Sequence, residues 1–138
     1  MYRLLTLVSI FLLAGCAAPA LRGTGDLGVV VERANGQVTL VDTSRRASYA
    51  SVGGLGDLSH ASLVFSRDGR YAYVFGRDGG LTKVDLLEPR IVKRVLQSGN
   101  AIGGAISQDG RIVVAQNYTP GGIKAFDSET LELLSEVP

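Results

Sequence analysis

The sequence predicts an all-β chain made of tandem four-stranded antiparallel sheets, the blades of a β-propeller, with about three blades forming a partial ring. Three observations predict it. Asp42, Asp85 and Asp127 stand 43 and 42 residues apart, and Asp68-Gly69-Arg70 recurs 41 residues later as Asp109-Gly110-Arg111; a period near 42 is propeller-sized. Asn35-Gly36, Asp68-Gly69, Asp78-Gly79 and Asp109-Gly110 each lie between alternating Val, Ile, Leu, Tyr and Phe, the signature of two-residue hairpins whose turns need positive φ. No stretch beyond the amino-terminal segment keeps a helical hydrophobic period, and 18 glycines among 138 residues suit a turn-rich chain.

The chain begins with an address. Met1-Tyr2-Arg3 is a short positive start, Leu4 to Leu13 is apolar apart from Thr6 and Ser9, and Leu13-Ala14-Gly15-Cys16 closes the segment. An apolar run of about ten residues is half the ~20 that a membrane-crossing helix needs, so residues 1–15 read as a secretory signal peptide. Leu-Ala-Gly-Cys resembles the bacterial lipobox, which implies that Cys16 is diacylated and anchors the protein stably to a membrane. Ala17 follows where an aspartate would favour inner-membrane retention, so the expected location is the periplasm, at the outer membrane. Residues 16–27 read as the lipidated cysteine and a flexible linker. Gly23-Thr24-Gly25-Asp26-Leu27-Gly28 matches the GxGxxG pattern, but it precedes a strand instead of opening a helix, and a nicotinamide cofactor is not expected.

Residues 28–138 read as the partial propeller. Val29 to Asp42, Tyr71 to Asp85 and Ile112 to Asp127 each run strand, tight turn, strand, aspartate. An outer strand follows the second and third aspartates, Ile91 to Leu96 after Leu87-Glu88-Pro89 and Leu131 to Val137 after Ser128-Glu129-Thr130. Four strands per ~42 residues make one blade, and the 123 residues after the signal hold about three. Closed rings typically take four to eight blades, so the chain reads as the amino-terminal piece of a longer protein.

Composition removes several function classes. Fourteen Lys and Arg against thirteen Asp and Glu leave +1, with no basic block, so nucleic acid is not an expected partner. One cysteine and one histidine exclude a disulfide framework, a CxxCH haem attachment and an all-Cys/His metal cage.

Arg33 to Asp42, Leu58-Ser59-His60 leading to Ser66-Arg67-Asp68-Gly69-Arg70-Tyr71, Val74 to Asp78, and Asp127 to Glu132 resemble successive stretches of the eight-bladed haem d1 domain of cytochrome cd1 nitrite reductase. The likeness covers nearly all of residues 28–134. It implies an eight-bladed ring, His60 as the axial ligand of a haem iron and as the catalytic candidate, and Arg33 and Arg77 as clamps on the carboxylates of the macrocycle. A lipoprotein signal followed at once by this domain looks like the haem d1 biosynthesis branch of the family. That branch implies a tetrapyrrole as ligand or substrate, haem d1 or its iron-tetrapyrrole precursor. It further implies late periplasmic side-chain modification, with dehydrogenation as one form, and nitrite reductase and other d1-maturation proteins as partners.

The residue chemistry fits those roles. Imidazole suits ferrous and ferric iron, its second nitrogen needs a carbonyl or carboxylate partner, and Asp57 is near enough in sequence to supply one. Guanidinium forks are permanently charged and bind carboxylates bidentately. Tyr118 lies in Asn117-Tyr118-Thr119-Pro120, a longer hairpin that breaks the repeat, and is a candidate to line the pocket. Arg70 and Arg111 recur at one place in the repeat and read as structural partners of turn aspartates. The competing class is a lipid-anchored periplasmic scaffold for protein–protein interactions, with His60 incidental.

Overall fold

The computed structural model describes residues 23–138, so the signal segment and Cys16 lie outside the described residues. Eleven strands follow in chain order: β1 (Leu27–Glu32), β2 (Gln37–Asp42), β3 (Ala47–Val52), β4 (Ser62–Phe65), β5 (Tyr71–Phe75), β6 (Gly80–Asp85), β7 (Arg90–Leu96), β8 (Asn100–Ile106), β9 (Ile112–Thr119), β10 (Ile123–Asp127) and β11 (Leu133–Val137). They form three antiparallel sheets ordered β1-β2-β3, β4-β5-β6-β7 and β8-β9-β10-β11. The second and third sheets are four-stranded blades as expected. The first departs from the expectation, with three strands among the described residues.

Side-chain alternation explains how the sheets stack. Along β5, Ala72 and Val74 enter one apolar core with Val38 and Leu40 of the first sheet, while Tyr73 and Phe75 enter a second core with Ala101, Val113, Ala115 and Phe126 of the third. The period-2 geometry of a strand sends neighbours to opposite faces, so one strand serves two cores. All six residues of β6 are buried for the same reason. Gly104 permits the second joint: a Cβ there would stand 2.4 Å from the Phe75 ring and 2.0 Å from the Val114 carbonyl oxygen.

The repeated residues are turn builders. Asp42, Asp85 and Asp127 each accept the backbone N–H three residues on, from Arg45, Glu88 and Thr130 at 2.8, 3.0 and 2.8 Å. Ser66 Oγ donates to Asp68 and accepts the Tyr71 N–H, and Ser107 does the same with Asp109 and Ile112. The turn dipeptides differ from the expected two-residue hairpins. Only their glycines have positive φ, and backbone bonds from Gly69, Gly79 and Gly110 reach back three residues. This fits a longer turn with one left-handed glycine, in which the aspartate carboxylate, not its backbone, does the work.

Two boundaries also move. The described part of the expected linker is tied down: Thr24–Asp26 form a 3-10 turn, and Thr24 Oγ1 donates to the Asp68 carbonyl at 2.7 Å. The last outer strand starts at Leu133, because Leu131 takes φ 54° in the turn and buries its side chain in the second core.

Candidate functional site

The turns of the three sheets carry the candidate residues to one end of the molecule. Leu55 N–H donates to the Gly36 carbonyl at 3.0 Å, and Arg77 N–H donates to the Asp57 carbonyl at 2.8 Å. Residues 53–61, which lead into β4 and carry His60, are thus stitched to both hairpin turns beside them. Leu55 and Leu58 anchor this loop in the first core, each contributing about 1.5–3 kcal/mol.

His60, Arg77, Asn100, Ala101, Ile102 and Tyr118 line one cleft of ≈ 330 Å³ between the second and third sheets. That volume lies at the lower end of the ~300–1,000 Å³ usual for small-molecule sites. His60, Arg77 and Tyr118 line this cleft together, with Tyr118 73% exposed. Arg33 is not with them: it lies on the exposed β1–β2 turn, outside the residues lining the cleft. The repeat register accounts for this. Gly36 corresponds to Gly79, so Arg33 takes the place of Gly76, one short of Arg77.

Asn100, Ala101 and Ile102 went unpredicted, although the repeat held the signal. The 41-residue shift between the two Asp-Gly-Arg triplets carries His60 to Ala101 and Arg77 to Tyr118. The cleft is therefore lined by equivalent positions of two adjacent blades. The imidazole, guanidinium, phenol and carboxamide that line it make no hydrogen bond to another described residue, and Ala101 and Ile102 supply apolar surface between them.

Asp57 does not orient His60 as expected. Its Oδ1 accepts the Ser59 N–H at 2.9 Å, closing a local turn. The Ser59 N–H and then its hydroxyl hold the Asp57 carboxyl below the usual carboxylate range, and the positive charge of Arg77 acts in the same direction. Of the two repeated arginines, Arg70 pairs with buried Asp85 at 2.8 Å, as expected of a structural partner. Arg111 makes no such pair with Asp127, whose Oδ1 accepts the N–H groups of Glu129 and Thr130 and the Thr130 hydroxyl.

This cleft offers a nitrogen donor, a cation for anionic groups and some apolar surface to a ligand. Residues 22–138 match the family described as Cytochrome D1 heme domain. The chain is 69% identical over 128 residues to Protein NirF of Pseudomonas aeruginosa, covering 92% of this chain and 33% of the relative. It is 63% identical over 134 residues to Protein NirF of Stutzerimonas stutzeri, covering 97% and 34%. A solved structure of dihydro-heme d1 dehydrogenase NirN in complex with DHE superposes with a TM-score of 0.77 at 35% identity, covering 83% of this chain and 24% of that one. The chain thus spans about a third of the length of the curated relatives named NirF.

Proposed function

The chain belongs to the cytochrome d1 haem domain family, and from that premise we propose that its cleft forms part of a binding site for haem d1 or an iron-tetrapyrrole precursor during haem d1 biosynthesis. One observation carries the reading: four polar side chains from two sheets, His60, Arg77, Asn100 and Tyr118, line one cleft without bonding to other described residues. These solvent-facing groups are free to engage a ligand, and their chemistry matches a carboxylate-bearing macrocycle with iron at its centre. The bound group would supply the iron and the conjugated ring. His60 offers an imidazole nitrogen to the iron, Arg77 offers a fork to a side-chain carboxylate, and Tyr118 and Asn100 offer hydrogen bonds at the rim.

The reaction served is a late modification, with dehydrogenation of a propionate-derived side chain as the favoured form. Two C–H bonds are exchanged for a C=C bond, and the two electrons and two protons released pass to an external acceptor of the quinone class, which becomes the hydroquinone, with His60 relaying a proton if it is not the iron ligand. The relative at 36% identity over 113 residues is named for such chemistry, Dihydro-heme d1 dehydrogenase. Cys16 adds a lipid anchor on the periplasmic side to the proposal. Labelling cells with an alkynyl fatty acid is expected to tag the protein and to fail with Cys16→Ser; equal labelling of both removes the anchor.

Absorption titration of the full-length protein with haem d1 tests the binding reading. The Soret and long-wavelength bands are expected to shift on binding, and His60→Ala to change the bound spectrum. Arg77→Leu should weaken binding by about 1.5–3 kcal/mol, the range for a hydrogen bond to a charged group. No spectral shift at all favours the scaffold, and a bound spectrum unchanged by His60→Ala removes His60 as ligand.

A further inference from the structure

Asp78 and Arg94 lie just outside the cleft and beneath the backbone that carries its residues. Asp78 Oδ1 accepts the Gly80 N–H at 3.0 Å, and Asp78 Oδ2 takes Arg94 Nη2 at 2.5 Å and the Asp57 N–H at 3.4 Å. Arg94 reaches across from the outer strand β7, and its Nε donates to the Leu55 carbonyl at 3.2 Å. The pair therefore holds the 53–61 loop, which bears His60, against the turn that bears Arg77, and the Arg77 N–H to Asp57 carbonyl bond completes the link. Gly56 shows how closely the loop lies on the pair. It has φ 85°, and a Cβ there would stand 2.1 Å from Asp78 Oδ2 and 2.4 Å from Arg94 Nη2.

We infer that Asp78 and Arg94 are positioning residues that set the imidazole of His60 relative to the guanidinium of Arg77. The inference rests on the proposed tetrapyrrole site for its consequence, and on the backbone bonds above for its geometry. An exposed ion pair alone contributes little to stability. This one is only partly exposed, and its worth lies in the two N–H groups and one carbonyl that it fixes at once. A ligand held by both a nitrogen donor and a carboxylate clamp senses their separation, so loosening the pair is felt in binding while the sheets stay intact.

Two measurements on the full-length protein test this with Arg94→Met and Arg94→Lys. Hydrogen exchange of the ligand-free protein is expected to quicken at 53–61 and at the Arg77 N–H in Arg94→Met, with β5 and residues 81–85 of β6 unchanged, and to return towards wild type in Arg94→Lys, which keeps the charge. Absorption titration with haem d1 should show affinity about tenfold weaker and an altered bound spectrum in Arg94→Met, both largely restored in Arg94→Lys. Unchanged exchange in Arg94→Met overturns the inference. So does a loosened loop with unaltered affinity and spectrum, or an Arg94→Lys variant as impaired as Arg94→Met. Failure of the wild-type protein to bind haem d1 would sink the proposed function instead, and the exchange arm would still decide whether the pair holds the loop.

Discussion

Asp85 is wholly buried, and its carboxylate takes the Arg70 guanidinium together with the N–H groups of Leu87 and Glu88. Burial, the largest single effect, pushes this carboxyl up, but the Arg70 and backbone hydrogen bonds together hold it below the usual carboxylate range. A carboxyl whose folded value is depressed stabilises the fold above its unfolded value, about pH 3.9, and that stability is lost as pH falls through the folded value. Asp85→Asn keeps a carbonyl for the two N–H groups but strips the charge facing Arg70. It is expected to cost about 2 kcal/mol at pH 7 and progressively less below about pH 4. Urea unfolding of the full-length protein at pH 7 and pH 3 checks this, and an equal cost at both contradicts it. The repeated aspartates were legible in the sequence as strand-closing residues, since carboxylates beside turns bond their own backbone. Their partners were not. Identical triplets place Arg70 on Asp85 Oδ2 and leave Arg111 off Asp127, whose Oδ1 takes two N–H groups and the Thr130 hydroxyl.

Each pair of neighbouring sheets shares a core, and at the second joint the Phe75 ring lies against the backbone of β8 at Gly104. Gly104→Ala must push both that ring and the Val114 carbonyl aside, and overpacking of this kind costs about 1–3 kcal/mol. Gly25→Ala, whose Cβ would meet nothing within 4 Å, is the matched control and is expected to be neutral. Thermal melts of the two full-length variants compare them directly; equal melting temperatures would mean that this joint is loosely packed. Strands and hairpins could be read from alternation and glycine turns, which are local signals. The Arg94–Asp78 pair could not, since residues 55, 78 and 94 meet only once the sheet has formed. The run Gly53-Gly54-Leu55-Gly56 was the one local hint, glycine marking a close backbone approach. The cleft itself was half legible. His60, Arg77 and Tyr118 carry recognisable chemistry, whereas Asn100 and Ile102 emerge only when the repeat shift is applied to the His60 loop.

Across the whole molecule, three sheets succeed one another, and the proposed site lies in the cleft between the second and third. Apolar side chains remain exposed at the third sheet, among them Ile123, Leu133, Leu134 and Val137. Such patches favour association, so the 138-residue chain by itself is expected to bind a hydrophobic dye and to grow in apparent mass with concentration. Light scattering coupled to gel filtration checks this, and a concentration-independent monomer without dye binding contradicts it. Adjacent blades are proposed to build one tetrapyrrole site. Diffraction at the iron absorption edge from crystals of the full-length protein with haem d1 tests it most directly. An iron peak is expected in the cleft within bonding distance of the His60 ring, with Arg77 on a ligand carboxylate. An iron peak elsewhere, with His60 and Arg77 still unengaged, would contradict it.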